Sequence, residues 1–229
     1  MCAPHGLVCA RDLSISNMDA IIRFVDRYVD ADFAAPPYDP AVAAAVLPNA
    51  GRSQVFHERL LQHRNGFFAF NGLLQLFGSC TTPPNHSILT WNDPTGWRGA
   101  WGFMLEGITF FGQSAFGDQF GYRQGKIVQL KALEGVIAVT HSTLDEWLQS
   151  ALLDPETTLS QRAFDACVRD HGALPHGGHF APSGPYNPDE GIDVATVTVV
   201  PTRDSMEMKA ASAANVVRRR SSTSMRAPR

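Results

Sequence analysis

The stretch 102–140, GFMLEGITFFGQSAFGDQFGYRQGKIVQLKALEGVIAVT, decides the fold. Four short runs, GFMLEGITFF, GDQFGYR, GKIVQLKA and GVIAVT, are bounded by glycines and rich in aromatic and β-branched residues. That is the pattern of strands joined by tight turns in an antiparallel meander. Gly117 before Asp118 marks one of the turns. Glycine tolerates positive φ there, and a neighbouring aspartate accepts hydrogen bonds from backbone N–H groups. Phe110, Phe111, Phe116, Phe120 and Tyr122 supply aromatic packing on a twisted sheet, so the segment reads as a determinant of the fold.

Towards the N-terminus the periodicity turns helical. Residues 1–13 read as a loose leader. Ser16-x-x-Asp19 has the spacing of a capping box, and Ile21, Ile22, Phe24, Val25, Tyr28 and Val29 follow at helical intervals. Asp39-Pro40 starts a short second helix that ends before Pro48, since proline at the first helical position loses no needed hydrogen bond. Ser53 opens a third, SQVFHERLLQHR, with Val55, Phe56, Leu60 and Leu61 on its apolar side and Asn65-Gly66 as its stop. Residues 80–87 are a loop.

Beyond the meander, Ser142 or Thr143 caps STLDEWLQSALL, where Leu144, Trp147, Leu148, Ala151 and Leu152 align, and a further helix covers about 158–170. Residues 171–191 form a Gly/Pro/His loop, 192–200 a strand, and 207–217 have helical composition. From Arg218 the chain is Arg, Ser, Thr and Pro without apolar periodicity and is expected to be disordered. Helices, a meander, helices and one late strand mean an α+β fold with a mainly antiparallel sheet, in one domain over 14–217.

The 229 residues carry a formal net charge of −3, unevenly spread. The last twelve residues hold Arg218, Arg219, Arg220, Arg226 and Arg229 and no acid, which leaves 14 basic against 22 acidic side chains in 1–217, net −8. Such a body repels phosphate, so nucleic acid is not expected as the main partner, and a basic protein suits it better. The terminal arginines read as a solubilising tail. Cys2, Cys9, Cys80 and Cys167 form no CxxC pair and read as scattered reduced thiols. No apolar run is long enough for a membrane span, no signal peptide is evident, and a cytoplasmic protein is expected.

A search for chemistry returns little. His171, His176 and His179 lie in a glycine-rich loop where three imidazoles converging on zinc would make a metal-dependent enzyme, although their spacing matches no strong zinc pattern. GQSAFG at 112–117 lacks the glycine that a nucleophile elbow needs two residues after Ser114, and no phosphate-binding glycine loop is present. Asp145-Glu146 and Asp189-Glu190 read as solvated acid pairs. Trp147 belongs on an apolar helix face. Trp91, Trp97 and Trp101 cluster around a Pro/Gly-interrupted segment and are the candidates for partner contact, since tryptophan is enriched at binding hot spots.

Three segments in order resemble the SUKH superfamily, the Smi/Knr-like family: HRNGFFAF at 63–70 running into GLLQLFG, ITFFGQSAFGDQFGYRQGKIVQLKALEG at 108–135, and THSTLDEWLQSALLDP at 140–155. The resemblance covers roughly 50–170. It implies an α+β fold and a protein-binding role, with bacterial members largely serving as immunity proteins that neutralise toxins by direct contact. The family has no common catalytic residue set, so the resemblance implies neither an enzyme nor a cofactor.

Overall fold

A computed structural model describes residues 21–22, 25–30, 33–184 and 191–224, with side chains through Ala213. Six strands, β1 (Phe67–Ala69), β2 (Leu74–Leu76), β3 (Thr109–Ser114), β4 (Gln119–Arg123), β5 (Lys126–Lys131) and β6 (Val136–His141), pair antiparallel in chain order. The expected α+β fold with an antiparallel meander is what the chain forms. A two-stranded antiparallel hairpin, β7 (Gly178–Pro182) and β8 (Val197–Pro201), stands apart from that sheet.

The meander differs from the sequence expectation at both ends. GFMLEGITFF becomes a strand only from Thr109, because Trp97–Leu105 winds into 3-10 turns broken at Gly102, φ 58°. The Arg98 guanidinium donates to Leu105 O at 2.8 Å and Ile108 O at 3.0 Å, satisfying carbonyls that would otherwise seek a strand partner. Earlier, FFAFNGLLQLFG folds as the hairpin β1–β2, turned by Phe70, Asn71 and Gly72, all at positive φ. Gly66 takes φ +76° as expected of the helix stop. Asn65 beside it is buried, donating to Pro36 O, Pro37 O and Ser79 O and accepting from Ser79 N.

Helix α1 (Pro40–Val46) starts where Asp39 accepts from Ala41 N at 2.9 Å, and α2 (Gln54–His63) follows a 3-10 segment, Leu47–Ser53. Val55, expected on the apolar side, is exposed, and His57 is buried in the core. Ser53 does not cap its own helix: its Oγ accepts from Leu144 N at 2.8 Å and serves the first turn of α4 (Leu144–Leu153). A short α3 (Ile88–Trp91), then α5 (Pro155–Leu159) and α6 (Gln161–His171), complete the central helices.

The expected first helix stops early among the described residues. Val25 is helical, but Val29 bridges Ala69, Asp30 N donates to Phe68 O and Phe70 N to Tyr28 O, so the segment seals the edge of β1. The region expected as a loop over 171–191 contains β7, because Phe180 is fully buried against Phe116 and Phe164 and its N–H donates to Ala115 O. The expected strand over 192–200 begins only at Val197, after a 3-10 turn capped by Asp193. Helix α7 runs over Thr202–Ser224, so 218–224 have helical backbone where disorder was expected. Extending a helix anchored by a packed first half adds one hydrogen bond per residue, and arginine is a good helix former. The leader and the Ser16–Asp19 cap lie outside the described residues, as do 225–229.

One hydrophobic core runs from Ile21 to Ala213. Trp147 packs on Phe111 and Phe120 on one face of the sheet, where His57 also meets Tyr122. Trp91, Trp97 and Phe110 pack on the other. Among the described residues no helix is long and apolar enough to cross a membrane.

Candidate functional site

Because the meander reverses at every turn, the β3–β4 turn and the β5–β6 turn meet at one end of the sheet. Gly117 has φ +83°, the backbone the sequence called for. Ser114 Oγ accepts from Phe116 N and Asp118 N, closing the turn from within. Asp118 reaches out of its turn: Oδ1 accepts from Ala132 N and Oδ2 from Gln129 Nε2, each at 3.0 Å, which ties the two turns together.

Lys209 of α7 and His179 of β7 lie against the same turn. Lys209 is 4% exposed and its Nζ donates to Phe116 O at 2.5 Å. His179 is 1% exposed, and neither ring nitrogen has a protein partner. Burial pulls the Lys209 ammonium down to about 7, with the Asp118 charge acting against that. Burial pushes the Asp118 carboxyl up, while the Ala132 N–H, the Lys209 charge and the Gln129 amide hold it down. Burial, then the Lys209 charge, keeps His179 well below the usual imidazole range.

Outside these turns lies a cleft of about 360 Å³. Asp118, Gln129 and Lys131 line it from the sheet, Glu134 from the β5–β6 turn, and Glu156, Thr157, Thr158 and Ser160 from α5 and the start of α6. A second groove, about 430 Å³, shares Thr157 and Thr158 and continues to His141, Ser150 and Leu153. The run that follows Lys131 is one-signed. Residues 132–161 include Glu134, Asp145, Glu146, Asp154 and Glu156 and no lysine or arginine. Lys131 pairs with Glu134 at 3.4 Å from the neighbouring strand. A concavity whose carboxylates, Asp118, Glu134 and Glu156, outnumber its one lysine, Lys131, and are joined by threonine and serine hydroxyls is suited to hold cationic side chains through charge-assisted hydrogen bonds.

Of the residues singled out in the sequence, Gly117, Asp118 and His179 meet at this end of the sheet, and the three tryptophans fall elsewhere. Trp91, Trp97 and Trp101 are each no more than 5% exposed. Their indole N–H groups donate to Gln119 Oε1, Trp91 O and Met206 O. They are core, and the partner contact expected of them is corrected accordingly: an apolar ring whose single donor is satisfied inside has little left to offer a partner. Trp91 also ends a buried amide chain in which Gln119 donates to Gln113, Gln113 to Gln75, and Gln75 to Asn85 O.

The three histidines do not converge. His171 ends α6 and bonds Val194 O, His176 stacks on Phe68 at 4.2 Å, and His179 lies beside Gly117. Among the described residues no group of three or more His, Cys, Asp or Glu is arranged to hold a metal. The sequence reading missed the acidic cleft because its walls come from separate segments; the signal was the long cation-free run after Lys131.

A scan against family models finds no match for this chain, and no curated protein matches its sequence. A solved structure does resemble it: the crystal structure of Atu4351 from Agrobacterium tumefaciens, with a TM-score of 0.57 at 14% identity, over 81% of this chain and 86% of that one. The likeness is one of fold.

Proposed function

We propose that this chain is a protein-binding module, an immunity protein that neutralises a basic toxin by direct contact in the cytoplasm. The observation that carries the reading is the acidic end of the sheet, where Asp118, Glu134 and Glu156 line a cleft against a single lysine, Lys131, and Asp154 lines the adjoining groove. Oriented like charge of this kind steers a basic partner and speeds encounter. The resemblance to SUKH sequences supplies the toxin-immunity role, and Cys80 and Cys167, buried and free, suit a reducing compartment.

The test is a co-expression screen for a basic, toxin-like gene product whose toxicity the chain relieves. The chain is expected to restore growth and to co-purify with that product, with an association rate that falls as salt rises. Toxicity unaffected by the chain, with no complex formed, overturns the reading. A salt-independent association rate removes its electrostatic part.

A further inference from the structure

Strand β6 is the last of the sheet, and among the described residues no strand pairs with its outer side. Its sequence, VIAVTH, contains no proline, no lysine and no acid. Natural sheets blunt a free edge with those residues or cover it with another segment, because an unpaired row of N–H and C=O groups is a template for a further strand. β1, the opposite edge, is covered in this way by residues 28–30. β6 is not: Ala138 and Thr140 are exposed, and Val139 is 62% exposed. The register irregularity with β5 falls at Ile127/Val128, leaving Val136–Val139 in regular pairing with Lys131–Val128.

We infer that β6 is a docking edge that accepts an extended segment of a basic protein as a seventh strand. This rests on the protein-binding reading and deepens it by naming the surface and the form of the partner. Main-chain hydrogen bonds supply the affinity in such strand addition, and flanking side chains supply the selectivity. Here the flanks are acidic. Glu134 precedes the strand, Asp145 and Glu146 follow it, and the groove that holds Asp154 opens at its last residue, His141. A cationic strand matches both ends. A second copy of this chain does not, because antiparallel self-pairing sets Glu134 of one copy towards Asp145 and Glu146 of the other.

The test uses short blocked peptides of alternating valine and threonine, one set ending in lysines and the other in glutamates, with the full chain followed by amide hydrogen exchange. The lysine peptide is expected to slow exchange at alternate amides of Val136–His141 by at least about tenfold. The glutamate peptide should leave them unchanged, and the Ala138→Lys/Val139→Lys variant should lose the protection while keeping its thermal midpoint. No protection at saturating lysine peptide overturns the proposal, as does equal protection by both peptides. Protection that rises with protein concentration alone, with a dimer in sedimentation, also overturns it and assigns the edge to a second copy. A toxin that is neutralised while protecting some other surface removes the docking edge and leaves the immunity reading standing. Lysine-peptide binding in a chain that neutralises no toxin does the reverse.

Discussion

The two edges of the same sheet are finished differently. At β1 every residue is buried, and the chain at 28–30 lies alongside, with Asp30 N on Phe68 O at 2.9 Å and Phe70 N on Tyr28 O at 3.0 Å. At β6 no residue is fully buried, and its outer side is open among the described residues. One edge belongs to the fold and the other belongs to the surface. Leaving backbone groups and apolar side chains at an edge invites association, so an edge left bare beside an acidic cleft is explained if something specific is meant to occupy it.

Substitutions that touch the closed parts of the molecule should therefore act on stability, and those at β6 should not. The largest effect is expected at the turn that joins β3 to β4. A Cβ on Gly117 collides with Lys209 Nζ and lies 3.0 Å from His179 Nδ1, at a backbone with φ +83°. Gly117→Val should cost about 4 kcal/mol in chemical denaturation, strain and overpacking adding. A loss below about 1 kcal/mol would show that the turn relaxes.

Acid should separate the core from the edge next. Burial pulls the His57 imidazole down to about 3, and Tyr122 OH lies 3.0 Å from its Nδ1. The unfolded chain takes up that proton near the ordinary value of 6.5 and the folded chain does not, so stability is full above 6.5 and lost as pH falls. The loss from this group should reach about 2 kcal/mol by pH 5. Asp118, with its carboxyl pushed up by burial, works the other way and softens the fall. Denaturation profiles of His57→Gln should be flatter than those of the parent by that amount; parallel profiles would contradict the assignment.

Smaller effects bear on the edges themselves. Asp30 Oδ1 accepts from Asn71 N at 2.8 Å and helps hold the β1–β2 turn against the sealing segment. Asp30→Ala should cost about 1 kcal/mol and quicken amide exchange at Asn71. At the open edge, Ala138→Lys/Val139→Lys should change stability by less than about 0.5 kcal/mol, as exposed substitutions do. A larger loss would mean that β6 is packed against something and is not free.

How much of this was legible in the sequence depended on whether local chemistry matched the final environment. β4, β5 and β6 could be read because glycines bound each run, and Asp39-Pro40 and Asn65-Gly66 announced their roles locally. The β1–β2 hairpin was hidden because Phe67–Ala69 and Leu74–Leu76 are buried throughout, which removes the alternation that marks a half-exposed strand. β7 was masked by the glycines, prolines and histidines around Phe180. Lys209, in a helix of ordinary surface composition, gave no sign that it would be 4% exposed. The tryptophans were visible as a cluster, but composition does not say which face of a ring meets solvent. The acidic end exists only once Glu134, Glu156 and Asp118 are brought together by the turns, so its components were legible and their assembly was not.

The most direct test of the account is hydrogen exchange on the chain alone and saturated with the basic toxin that it neutralises in co-expression. The account predicts slowed exchange at Val136–His141 and in the acidic flanks on either side, with Phe67–Ala69 unchanged because that edge is already closed. Saturation without protection of β6, or protection confined to the β1 side of the sheet, would contradict it.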